Sequence, residues 1–99
     1  MKLPFIPSDC EQSFHLYYLI MPSPEKQQRL ISHLRDCGIL AVFHYLPLHL
    51  SPMGRRFGGA ESSCPVAESA SERLVRLPLY NWLTEADQGR VIDAVKSFD

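Results

Sequence analysis

The sequence contains no apolar run that approaches the ~20 residues of a membrane-spanning helix. It has no excess of positive charge either: ten Lys and Arg stand against eleven Asp and Glu, for a net charge of −1 at pH 7. That balance withholds the basic footprint with which proteins grip nucleic acid. It also withholds the polybasic run that attaches a chain to anionic lipid. Cysteine is scarce. Cys10, Cys37 and Cys64 are odd in number and share no paired spacing, so a reduced, cytoplasmic setting fits best. The opening Met1-Lys2-Leu3-Pro4-Phe5-Ile6-Pro7 lacks the apolar core of ~7–15 residues that marks a secretory signal. No Gly-x-Ser-x-Gly elbow surrounds Ser51, Ser62 or Ser63, so a nucleophilic serine has no support.

What is present suffices for one small domain. Ninety-nine residues with a 45% hydrophobic share are too apolar for a disordered tail. A domain of this size buries roughly 60–68% of its unfolded surface, enough for a single core. Residues 1–13, with Pro4 and Pro7, read as an extended lead-in to residues 14–99, as if the chain were a piece of something longer. Phe14–Ile20 is rich in strand formers. Phe14, Leu16, Tyr18 and Ile20 share one face, and Tyr17 and Leu19 imply partial cover on the other.

Ser23-Pro24-Glu25 then starts a helix, with Ser as N-cap, Pro in the first position and an acid near the positive end of the dipole. Leu30, Ile31, Leu34 and Cys37 form its apolar stripe, and Gly38 ends it. A strand over Ile39–Phe43 follows, giving a βαβ start. Residues 46–63 form a long loop with Pro47, Pro52, Gly54, Gly58 and Gly59, of the length that is usually functional or mobile. Ser63-Cys64-Pro65 opens a second helix with Val66, Ala67, Ala70 and Leu74 on one side. Pro78 restricts Arg76–Tyr80 to a short edge-like strand. Thr84-Glu85-Ala86-Asp87 opens a last helix with Val91, Ile92, Val95 and Phe98 as its buried stripe. The expected class is α+β: a two-layer domain with a small, mainly antiparallel sheet of about three strands and helices packed on it.

Chemistry concentrates in His44-Tyr45-Leu46-Pro47-Leu48-His49-Leu50-Ser51-Pro52, which puts two imidazoles and a phenol on a stiffened loop. Histidine exchanges protons or binds anions near neutrality. On spacing alone the plainer account is that His44 caps a strand and His49 is a solvated loop residue. As metal ligands, His44, His49 and Cys64 match no zinc pattern, and no metal site is expected. Arg55 and Arg56 read as loop cations, and Glu68, Glu72 and Arg73 as solvating helix pairs.

The His44-Tyr45-Leu46-Pro47-Leu48-His49 run, Ser51-Pro52-Met53-Gly54, Cys64-Pro65-Val66 and Ser71-Glu72-Arg73-Leu74-Val75-Arg76-Leu77-Pro78-Leu79-Tyr80 together resemble one known pattern. It is the C-terminal part of the pyridoxal-phosphate sugar aminotransferases of the DegT/DnrJ/EryC/StrS family, with the dTDP-4-amino-4,6-dideoxygalactose transaminase branch nearest. The likeness spans about Phe14 to Phe98. It implies the small C-terminal domain of a type I aminotransferase, without the large domain that binds pyridoxal phosphate. The family moves an amino group, usually from glutamate, to a keto carbon of a nucleotide-linked deoxysugar, and works as a homodimer. The resemblance places His44 on the cofactor and sugar cavity, with Tyr45 and His49 as weaker members of the same pocket. It supplies no imine-forming lysine here, since Lys2, Lys26 and Lys96 all lie elsewhere. The chain alone is therefore expected to bind no cofactor, to be inactive and to self-associate through exposed interface. The alternative is a free-standing ligand-binding or protein-interaction module without catalysis.

Overall fold

Two capped helices and a short sheet organise the computed structural model, which describes residues 1–61 and 63–98. Helix α1 spans Pro24–Asp36, and the Ser23 hydroxyl accepts from the Lys26 N–H at 3.3 Å to close its first turn. Its far end is a Schellman turn: the Gly38 N–H reaches the Arg35 carbonyl at 2.9 Å and the Ile39 N–H the Leu34 carbonyl at 2.8 Å. Gly38 sits at φ +74°, which glycine adopts without penalty. Helix α4, Glu85–Lys96, is capped by Thr84, whose hydroxyl oxygen accepts from the Asp87 N–H at 3.1 Å.

Strand β1 (Tyr17–Ile20) pairs antiparallel with β2 (Leu74–Leu77), with Tyr17 opposite Leu77 and Ile20 opposite Leu74. Helix α2, Pro52–Arg56, lies in the loop between two short 3₁₀ turns, Leu48–Leu50 and Gly59–Glu61. Helix α3, Pro65–Arg73, runs directly into β2. Leu19, Leu30, Leu34 and Val75 are the largest fully buried side chains. Burying each contributes about 1.5–3 kcal/mol. Ile31 from α1, Val91 and Val95 from α4, and Phe98 just beyond α4 close over that cluster.

Several expectations need correction, each for a local reason. The first strand begins at Tyr17, not Phe14, because Phe14 sits at φ +51°, outside any extended region. The faces are also reversed: Leu19, on the side taken as partly covered, is buried, while Tyr18 and Ile20 are half-buried. Ile39–Phe43 forms no full strand. Only Val42 pairs, exchanging bonds with Arg76 at 3.2 and 2.7 Å. The next hydrogen-bonded pair in that register is Leu40 with Pro78, which has no N–H to give. In the other direction it is His44 with Leu74, whose N–H already goes to the Ala70 carbonyl and whose carbonyl accepts from Gln27.

β2 is consequently central rather than an edge, flanked by β1 on one side and Val42 on the other. The lead-in contributes as well, since the Lys2 and Ile20 backbones exchange bonds at 2.8 and 2.9 Å on the outer side of β1. Within α3, Val66 and Ala67 are exposed and Leu74 has left the helix for the sheet, so the expected stripe does not form. Cys37 and Ile92 face solvent where apolar stripes were expected. Gln27, which is not part of the expected apolar stripe, is buried at the helix–strand junction. Its amide donates to the Ser71 carbonyl at 3.2 Å and the Leu74 carbonyl at 2.8 Å.

Candidate functional site

The loop after the Val42 bridge carries the polar groups, and two different anchors hold it. The first is at His44 and Tyr45. Their rings stack with centroids 3.8 Å apart at 29°. His44 Nδ1 is buried and meets no hydrogen-bond partner among the described residues, the single side-chain atom there with that standing. A buried ring nitrogen without a partner costs free energy, so the position suits a ligand group. Tyr45 is exposed, and its hydroxyl accepts from Arg76 Nη1 at 3.2 Å. The phenol is thus tied to the central strand, while His44 lies beneath it.

The second anchor is at His49. Its Nε2 lies 2.8 Å from Glu68 Oε1 on α3, with the His49 side chain 12% exposed. Around it the backbone is very tight. A Cβ on Gly54 would strike the Leu48 carbonyl, and one on Gly59 would strike the His49 carbonyl. Ser51 caps α2 by accepting from the Gly54 N–H at 3.0 Å, and Arg55 Nε donates to the Leu50 carbonyl at 3.0 Å. Residues 48–61, expected as an irregular loop, are therefore three short helical turns wrapped on glycine backbone.

The two imidazoles have separate partners, so the expected His44, Tyr45 and His49 group divides into a stacked pair and a pinned ring. Two members of the neighbourhood escaped the sequence reading. Arg76 looked like an ordinary strand residue, and Glu68 like a solvating helix acid. The available signal was the first-turn position of Glu68 in a helix started by Cys64-Pro65, close in sequence to the loop. The lysines lie apart: Lys2 is in the β1 bridge, Lys26 sits over the Phe98 ring at 5.7 Å, and Lys96 is in the last turn of α4. Among the described residues no three His, Cys, Asp or Glu side chains converge as a metal site, and no helix is long and apolar enough to cross a membrane.

The chain superposes on the aminotransferase TlmJ from Streptoalloteichus hindustanus with a TM-score of 0.81 and 32% identity, over 95% of this chain and 24% of that one. Residues 1–96 match the DegT/DnrJ/EryC1/StrS aminotransferase family, and the chain belongs to it. It is 35% identical to a dTDP-3-amino-3,4,6-trideoxy-alpha-D-glucose transaminase of Streptomyces venezuelae, over 97% of this chain and 25% of the relative. It is 32% identical to a dTDP-4-dehydro-2,3,6-trideoxy-D-glucose 4-aminotransferase of Saccharopolyspora spinosa, over 86% of this chain and 21% of the relative. The chain thus spans about a quarter of the length of the relatives it matches.

The family depends on pyridoxal phosphate, which needs an amine for its imine, an acid at the ring nitrogen and donors for its phosphate. The His44 neighbourhood offers a buried imidazole nitrogen and a stacked phenol but no amine. Of the three requirements, these residues meet none by themselves, and they add one unsatisfied ring nitrogen that a bound group could partner.

Proposed function

We propose that residues 14–99 are the small C-terminal domain of a pyridoxal-phosphate nucleotide-sugar aminotransferase, with residues 1–13 as its lead-in. The whole enzyme moves an amino group from glutamate to a nucleotide-linked 4-keto-6-deoxysugar, as a cytoplasmic homodimer. The observation that carries this reading is His44 Nδ1, a buried polar atom with no hydrogen-bond partner among the described residues, on a loop inside the stretch that matches sugar transaminases. Bound cofactor supplies the electron sink for amino transfer. This chain's part is to line the cavity: His44 offers its ring nitrogen, Tyr45 covers that ring, and the His49 anchor holds the loop in place.

The test is a chimera in which this chain replaces the matching C-terminal quarter of the Streptomyces venezuelae transaminase. Cofactor absorbance and sugar amination are expected to survive the exchange, and His44→Ala is expected to lower kcat/KM about tenfold, in the range of one lost hydrogen bond to a bound group. Unchanged turnover in that variant removes His44 from the site. The chain alone is inactive in this reading. Borohydride trapping with pyridoxal phosphate should leave no stoichiometric adduct on Lys2, Lys26 or Lys96, and such an adduct would overturn it.

Leu48, Phe57, Val66 and Trp82 are each at least 80% exposed, as expected of surface that another part of the enzyme covers. The isolated chain accordingly self-associates. A strict monomer in light scattering across concentration counts against that statement.

A further inference from the structure

A groove of about 500 Å³ runs between the Gly38–Val42 segment and the Arg76–Leu83 segment, with α4 along one side. That volume is within the range of small-molecule sites. Its apolar surface comes from residues such as Leu40 and Leu79, and Tyr80 adds a phenol. The charged groups are Arg76, Arg90 and Asp87, two guanidiniums against a single carboxylate. Asp87 is already committed to its helix cap, since Oδ2 accepts from the Thr84 hydroxyl at 3.0 Å. Its other oxygen lies 3.5 Å from Arg90 Nη1, a loose contact for an ion pair. Arg76 spends one N–H on the Tyr45 hydroxyl. A guanidinium has five, in a planar fork shaped for two parallel bonds to an oxygen acid. The groove therefore holds excess positive charge and spare donors beside an apolar wall.

We infer that this groove binds a small acidic molecule, its phosphoryl or carboxylate group on Arg76 and Arg90 and its less polar body on Leu40, Leu79 and Tyr80. The Tyr45 hydroxyl holds the Arg76 fork in register, so Tyr45 acts on the ligand through Arg76. This inference stands apart from the amino-transfer reading, because binding to the chain itself tests it.

The experiment follows the Arg76 and Arg90 Nε–Hε resonances of the full chain by NMR during titration with phenyl phosphate, phenylacetate and benzyl alcohol. Saturable shifts of both resonances with at least one acid, and none with the neutral alcohol, are the expected result. Tighter phenyl phosphate assigns the site to phosphoryl groups, and tighter phenylacetate assigns it to carboxylates. Arg76→Gln and Arg90→Gln should each weaken the preferred acid about tenfold, the loss of one charge-assisted contact. Arg29→Gln, on the far seam over Phe98, should leave affinity unchanged. Arg90 is 65% exposed, so its replacement leaves the fold intact and the comparison readable. Equal binding of benzyl alcohol, undiminished affinity in both glutamine variants, or no shift of either resonance overturns the proposal.

Discussion

His49 and Glu68 form a 2.8 Å hydrogen bond that ties the glycine-tight loop to helix α3. Glu68 is 38% exposed, which tempers the strength of the bond. Glu68→Ala is expected to cost about 1 kcal/mol, or about 4–8 °C in Tm for a domain of this size. Combining it with His49→Ala should cost less than the sum of the two, since both changes remove the same bond. Thermal melts of the single and double variants measure the coupling, and full additivity would show that the bond contributes nothing.

The glycines divide by what surrounds them. Gly54→Ala and Gly59→Ala drive a methyl into backbone carbonyls that cannot move without unwinding the loop, and each is expected to cost at least about 2 kcal/mol. Gly89 lies inside α4 with nothing within 4 Å of a new Cβ. Gly89→Ala should stabilise by about 0.5–1 kcal/mol through helix propensity alone. Urea midpoints of the three variants give the test, and the opposite order would contradict the loop packing.

Gln27 makes a third prediction. Replacing it with Leu keeps the site filled but leaves the Ser71 and Leu74 carbonyls without their side-chain donor. The expected loss is about 1–2 kcal/mol, because two half-buried carbonyls then lack that donor. An effect below about 0.5 kcal/mol by denaturant unfolding would mean that other donors take over.

Glu25 makes a prediction about pH. The Ser23 hydroxyl and then its own backbone N–H favour its carboxylate, holding its pKa below the ordinary 4.5. A depressed pKa in the folded state means stabilisation that is present above the unfolded value and lost as pH falls through the folded one. The Glu25 carboxyl carbon should titrate with a midpoint below 4.5 by NMR, and Ser23→Ala should move it up. A midpoint unmoved by Ser23→Ala would break the link to the cap.

The legible parts of this fold are those fixed within a few residues. Ser23-Pro24-Glu25, Gly38 and Thr84 announce α1 and α4, because caps and left-handed turns are local chemistry. The expected strand at Ile39–Phe43 failed because its bonds depend on Pro78 and Leu74, some thirty residues away. Burial there does alternate as in a strand, with Ile39 and Ala41 buried and Leu40 and Val42 exposed, but burial does not require a ladder. For the site, the sequence pointed to His44, Tyr45 and His49 on one loop. It could not show that Arg76 and Glu68, distant in sequence, hold two of them.

Pro78 has a consequence beyond the fold. With the Val42 side reduced to one residue pair, the outer rim of the sheet there presents no continuous row of amides and carbonyls. Fibrous growth needs such a row to recruit an incoming strand. On that rim a neighbouring molecule meets exposed side chains such as Leu40 and Phe43 rather than a backbone template.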